Sequence, residues 1–249
     1  LTGKVFLVET KGKKKIVKFM PPGQDGPTLV QEARALRALE ALELGNIEVS
    51  RLEHVGKGKI NGSDYGIIIE SAVPGSDVAG ILDAFKADPS PENKELLMKA
   101  LEASGNGLAQ LNLYETRQSV DPERDIASMM ETGLFFFNQV KAEGVLSPEE
   151  VADVGRCLSA LPAKIGESGN LALCLNFGDA NPANMMYEGS QGGLGFIDPP
   201  TLMDSVDEKT GQPTGVLGQD LGYMKVNLQM ELEGLSAQVQ ADCLAALEE

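Results

Sequence analysis

The tetrapeptide Val73-Pro74-Gly75-Ser76 separates two stretches of opposite local character, and this division constrains the fold more than any other feature of the chain. Before it, the β-favouring runs Val5 to Glu9, Lys15 to Phe19, Glu48 to Val55 and Tyr65 to Glu70 are separated by glycine- and lysine-rich turns. Such punctuation predicts hairpins. One helix interrupts them, from Thr28 to near Gly45, with Leu29, Ala33, Leu36, Leu39 and Leu42 at helical spacing. After the division, Val78 to Ala87, Glu92 to Tyr114, Ile126 to Glu143 and Pro148 to Leu161 read as helices, and a helix-rich tail runs from about Asp220 to Glu249. A short β island, Leu171 to Asn176, Asn184 to Tyr187 and Gly195 to Ile197, lies among them. The expected organisation is α+β: a β-rich lobe with one helix over 1–74, then a mainly helical lobe over 75–249.

Residue types exclude much chemistry. The chain has one histidine, His54, so a zinc site of several Cys or His ligands is not expected, and a Ser-His-Asp hydrolase would rest on that residue alone without a G-x-S-x-G elbow. Despite 28 glycines, neither G-x-x-x-x-G-K-[ST] nor G-x-G-x-x-G occurs. Acid–base chemistry therefore falls to carboxylates. With 21 Lys and Arg against 37 Asp and Glu, the formal charge of −16 opposes binding to nucleic-acid phosphates or anionic lipid surfaces, so neither partner is expected. The longest apolar stretches are far shorter than the roughly 20 residues that span a bilayer. No basic-then-apolar leader opens the chain, and a cytoplasmic location is expected. Cys157, Cys174 and Cys243 are odd in number and widely spaced, which favours reduced, core-filling thiols.

The densest chemistry lies in Asn176-Phe177-Gly178-Asp179-Ala180-Asn181-Pro182-Ala183-Asn184, followed by Gly195-Phe196-Ile197-Asp198. Asp179 and Asn184 fall on a tight polar loop between short apolar strands, and Asp198 ends the next strand. Asn184 and Asp198 offer the oxygen ligands that Mg²⁺ takes alongside phosphates and water. Asp179 beside them can accept the proton of an attacking hydroxyl, so the pattern points to phosphoryl transfer.

This stretch resembles the H-G-D-x-x-x-x-N and I-D-[FW] motifs of the aminoglycoside phosphotransferase and choline kinase-like family. The resemblance implies a bilobal protein-kinase-like fold with a small antiparallel-sheet N-lobe carrying one helix and a larger helical C-lobe. It extends over nearly the whole chain. Lys18, in Lys15-Ile16-Val17-Lys18-Phe19, stands in the place of the family's ATP-phosphate lysine, and Glu32 in that of its glutamate partner. Ile67 to Ala72 resembles the hinge strand whose backbone receives adenine, which implies cofactor-binding roles for Glu70 and Ala72. Leu108-Ala109-Gln110-Leu111-Asn112 is similar to the L-A-x-L-H helix, and Gly218-Gln219-Asp220-Leu221-Gly222 to the element that buttresses the catalytic loop. The resemblance thus implies ATP and Mg²⁺ as cofactors, Asp179 as catalytic base, and Asn184 with Asp198 as metal ligands.

The chain departs from the motifs at Phe177, which replaces the motif histidine, at Asn181 and Asn112, where histidines are frequent, and at Pro199-Pro200 after Asp198. Leu1-Thr2-Gly3 would fall in the phosphate-covering loop, so a first strand is short or missing. The expected acceptor is the hydroxyl of a small polar or cationic molecule such as an aminoglycoside or amino alcohol, with Asp121, Glu123, Asp125, Asp204, Asp207 and Glu208 as acidic candidates to hold a cationic one. A protein acceptor, or a nucleotide-binding pseudokinase, is the alternative.

Overall fold

Positive φ at two successive residues suits the two-residue hairpin turn that follows strand twist, and the chain supplies it twice: at Lys11 and Gly12 (53° and 75°) and at Asn61 and Gly62 (52° and 85°). In the computed structural model, which describes residues 4–21, 27–142, 147–168, 171–189, 192–199 and 202–248, these turns build one antiparallel sheet. Leu1-Thr2-Gly3 and Pro200 lie outside the described residues. The first turn joins β1 (Lys4–Thr10) to β2 (Lys13–Met20). After α1 (Pro27–Ala41) and β3 (Ile47–Val49), the second joins β4 (Leu52–Ile60) to β5 (Ser63–Ser71). The strand order is β1-β2-β5-β4. Helix α1 lays Leu29 and Leu36 on Met20 and Ile68 of this sheet, while Ala35 and Leu39 join the main core.

The run Glu48 to Val55 is not one strand. It breaks at Ser50 and Arg51, where Ser50 N–H donates to the Phe196 carbonyl, Ser50 Oγ to the Ser71 carbonyl, and Arg51 N–H to Ser71 Oγ. Local bonds turn the backbone, and β3 leaves for a second sheet.

That sheet has the order β3-β10-β9-β6, with β6 (Ser76–Asp77), β9 (Met185–Glu188) and β10 (Gly193–Phe196). Strand β3 pairs parallel with β10, which ties the end of α1 to the hairpin that follows the Asp179 loop. Behind it stand α2 (Val78–Ala87), N-capped by Asp77, and α3 (Pro91–Tyr114), N-capped by Ser90 with proline in the first turn.

Residues Leu1–Glu115 and Cys174–Glu249 form one unit and Thr116–Leu173 another. The smaller unit holds β7 (Thr116–Gln118), α4 (Pro122–Ala142) and α5 (Pro148–Ser168), and β8 (Ala172–Cys174) begins in it. Helix α5 runs through Pro162, beyond the expected end at Leu161, because a proline's φ is itself helical and costs one backbone bond without ending the helix. Cys157 is exposed on α5, contrary to the core-filling expectation, whereas Cys174 and Cys243 are buried.

In the larger unit the tail is β11 (Gly215–Val216), α6 (Gln219–Glu231) and α7 (Ala237–Glu248). Its core joins Leu97, Leu101, Leu108 and Leu111 of α3 to Phe177, Met185, Phe196, Met224 and Leu247. Among the described residues no helix is long and apolar enough to cross a membrane.

Candidate active site

The loop bearing Asp179 is suspended from one buried carboxylate. Asp220, in the first turn of α6, accepts hydrogen bonds from Phe177 N–H (2.7 Å), Gly178 N–H (2.8 Å) and Asn112 Nδ2 (2.8 Å). Asn112 also donates to the Leu175 carbonyl at 2.8 Å, so its amide bridges both ends of this support. Burial pushes the Asp220 pKa up, and the three donors oppose that rise. Asn112, at the histidine position, thus provides a fixed donor that does not titrate.

Phe177 is fully buried, with its ring centroid 5.3 Å from that of Phe196. It supplies core packing where the motif has an imidazole, and its backbone still reaches Asp220.

Two amides hold Asp179. Asn181 Nδ2 donates to Oδ1 at 3.1 Å and Asn184 Nδ2 to Oδ2 at 3.0 Å. Asn181 Oδ1 accepts from Ala183 N–H at 3.0 Å and caps the 3₁₀ turn Pro182–Asn184 that carries Asn184. Because the Asn184 amide nitrogen is spent on Asp179, its oxygen is the atom left for a cation. Ile197 N–H donates to the Asn184 carbonyl at 3.1 Å, which brings the next residue, Asp198, to the same place. Asp198 has φ 56°, a left-handed backbone that few non-glycine residues adopt.

Lys18 collects three carboxylates: Glu32 at 2.7 Å, Glu70 at 2.8 Å and Asp198 at 3.1 Å. Burial alone would lower its pKa, but Glu70, Glu32 and Asp198 raise it well above the ordinary lysine value. Burial raises the Glu70 pKa, against the pull of Lys18. Glu70 is 2% exposed, and its Oε2 has no hydrogen-bond partner among the described residues.

These residues face a cleft of about 980 Å³. Lys18, Glu70, Asn184 and Asp198 line it together with the apolar Val5, Leu7, Ile16, Leu52, Met186 and Ile197 and the hinge 71–75. The expected site residues Lys18, Glu32, Glu70, Asn184, Asp198 and Asp179 therefore gather in one region of the larger unit, linked through the bonds above.

The hinge differs in detail from the sequence reading. Glu70 sits within the ladder, opposite Ile16 and Leu52, and meets the site through its side chain. Ala72 N–H donates to the Lys14 carbonyl at 3.2 Å, whereas Val73 N–H has no partner among the described residues. Sequence reasoning did not single out Val73. Of the acidic candidates for an acceptor, Asp204 takes a bond from Gln31, Glu208 one from Arg34, and Asp207 closes its own loop through Lys209 and Thr210.

The donor set fits a hard cation, since an amide oxygen and a carboxylate are the oxygen ligands Mg²⁺ takes. Among the described residues no three His, Cys, Asp or Glu side chains gather to hold a metal.

Residues 2–203 match the model of a family described as the phosphotransferase enzyme family. A glucosamine kinase structure aligns with a TM-score of 0.52 at 15% identity, over 97% of this chain and 62% of that one. An aminoglycoside phosphotransferase from Alicyclobacillus acidocaldarius gives 0.51 at 13% identity, over 99% and 70%. No curated protein matches the chain. At these identities the structural likeness establishes the fold, an α+β kinase-like fold as the sequence reading expected.

Proposed function

The chain belongs to the phosphotransferase enzyme family, and from that premise we propose a kinase that moves the γ-phosphoryl group of ATP, with Mg²⁺, to a hydroxyl of a small, cationic molecule. One observation above all supports this reading: Lys18, Glu32 and Asp198, up to 180 residues apart, meet at one ammonium in the cleft that Asn184 also lines.

In this reading Glu32 orients Lys18, which binds the nucleotide phosphates as a point charge. The apolar walls hold the adenine ring, and Val73 N–H meets its edge. Asn184 Oδ1 and the Asp198 carboxylate would hold Mg²⁺, which when bound would supply charge screening at the phosphoryl group. Asp179, fixed by Asn181 and Asn184, orients the acceptor hydroxyl and takes its proton as the oxygen attacks phosphorus.

Charge supports this acceptor class. A surface of net −16 concentrates cations, and similar folds occur in proteins named for amine-bearing acceptors, glucosamine kinase and aminoglycoside phosphotransferase.

The test incubates the protein with Mg²⁺ and ATP labelled in the γ-phosphate against a panel of aminoglycosides, amino sugars and amino alcohols. Label should move to a panel member with wild type and not with Asp179→Ala, while both proteins bind nucleotide. Equal transfer by the two proteins would reject Asp179 as the base.

A further inference from the structure

The base-binding end of the cleft carries two unsatisfied polar groups of opposite kind. Val73 N–H is a donor without a partner among the described residues, and Glu70 Oε2 is a buried acceptor without one. The amides between them are spent: Ser71 N–H donates to the Arg51 carbonyl and Ala72 N–H to the Lys14 carbonyl. Leaving a carboxylate oxygen buried and unpaired is costly, and the described residues offer this one no donor.

Glu70 reaches the cleft wall through strand register. It lies directly opposite Ile16 on one side and Leu52 on the other. Directly paired residues share a face of the sheet, and both neighbours line the cleft, as Glu70 itself does. Lys18 pins Oε1 at 2.8 Å, leaving Oε2 as the free atom.

A donor and an acceptor lining one cleft distinguish purines. Adenine offers an acceptor at N1 and a donor at its 6-amino group. A 6-oxopurine offers the reverse, N1–H and an acceptor oxygen, and an ionised carboxylate can only accept. We propose that the Glu70 side chain selects adenine over 6-oxopurine nucleotides by accepting a hydrogen bond from the 6-amino group. The assignment rests on the nucleotide reading above and adds a side-chain selector to a hinge that reads bases through its backbone.

The experiment is titration calorimetry of Mg²⁺-ATP and Mg²⁺-ITP, without any acceptor, on wild type, Glu70→Gln and Glu70→Leu. Wild type should bind ATP on the order of ten-fold or more tighter than ITP, the worth of one buried bond to a charged group. In Glu70→Gln an oxygen can stay on Lys18 while the new NH₂ faces the base, so the ratio should fall to about three-fold or invert. In Glu70→Leu the ATP-to-ITP ratio should fall toward one, because the change at Lys18, which meets the phosphates, acts on both nucleotides alike and cancels in the ratio. A wild type that binds both nucleotides equally overturns the selector without recourse to any variant, and leaves the kinase reading standing. A variant that folds, by its circular dichroism, and keeps the wild-type ratio also overturns it. Absence of binding by either nucleotide removes the kinase reading and the selector together.

Discussion

Lys18 Nζ and Asp198 Oδ1 lie 3.1 Å apart, although one belongs to a strand of the first sheet and the other follows the hairpin β9–β10. The contact ties the proposed nucleotide lysine directly to the carboxylate proposed to hold the metal. Glu32 and Glu70 complete a buried group in which one positive charge serves three negative ones.

Replacement of that lysine should therefore cost stability as well as binding. In Lys18→Met, Glu32 and Glu70 lose their counter-ion while remaining buried, and breaking such a group costs about 3–5 kcal/mol. The native lysine pKa lies above its unfolded value, so its contribution is complete at neutral pH and is lost only as pH climbs beyond the ordinary lysine range. In the variant the loss should shrink as pH falls, because Glu70, whose pKa is already raised, then protonates. Urea unfolding of both proteins at pH 5 and pH 8 checks this; an equal gap at the two values would reject the argument.

Asp220→Asn tests the support of the Asp179 loop. Asp220 presents an acceptor to three donors, and any orientation of an asparagine turns its NH₂ toward at least one of them. The expected cost is about 1–3 kcal/mol. Because the displaced residues carry Asp179, kcat should fall on the order of a hundred-fold with little change in nucleotide affinity. The wild-type carboxyl has a raised native pKa, so its stability contribution declines as pH rises through and above the ordinary carboxylate range. The advantage of wild type over the variant should narrow over that interval in denaturation curves.

Much of this site is legible in the sequence, and the residues show why. Alternation alone places Lys18 on the same strand face as Ile16, and the Asp179 to Asn184 spacing is local, so a tight loop between short strands could be read directly. Helices α2 and α3 begin where Asp77, Ser90 and Pro91 provide caps and first-turn residues. Glu70 was legible as a hinge residue but not as a partner of Lys18, because that contact depends on the register of β2 against β5, some 50 residues along the chain, which no local pattern encodes. The break at Ser50 was hidden for the same reason, since its causes, Ser71 and Phe196, are remote in sequence. Val73 carries no chemical signature in its side chain; what matters is an amide that its neighbours leave unpaired.

Restoring the motif histidine should harm this protein rather than improve it. Phe177 is fully enclosed and packs on Phe196, so in Phe177→His an imidazole would lose apolar contacts and bury two ring nitrogens. The expected destabilisation is about 2–4 kcal/mol at neutral pH. A buried neutral imidazole has a depressed native pKa, so the deficit should deepen as pH falls below about 6.5, its ordinary value. Thermal melts at pH 8 and pH 5.5 read this directly. A variant as stable as wild type would show that a polar partner for the ring exists in this part of the core.

Three helical glycines make a graded test of packing. Alanine is intrinsically better than glycine in a helix by about 0.8–1.0 kcal/mol, so each substitution gains that amount before space is considered. A Cβ at Gly222 of α6 meets nothing within 4 Å, and Gly222→Ala should be stabilising. At Gly107 of α3 it would fall 2.1 Å from Leu194 Cδ2, the far end of a side chain that can rotate away. Gly107→Ala should cost about 1–2 kcal/mol, the lower part of the usual overpacking range. Gly105, two residues earlier, meets the Leu247 carbonyl oxygen at 2.0 Å. That atom is backbone within α7, so relief requires the two helices to part, and Gly105→Ala should cost at least about 3 kcal/mol. Melting temperatures should therefore rank Gly222→Ala above wild type, then Gly107→Ala, then Gly105→Ala. Inversion of the last two would mean that α7 yields more easily than the Leu194 side chain, and that the α3–α7 contact is not the rigid seam its approach distance implies.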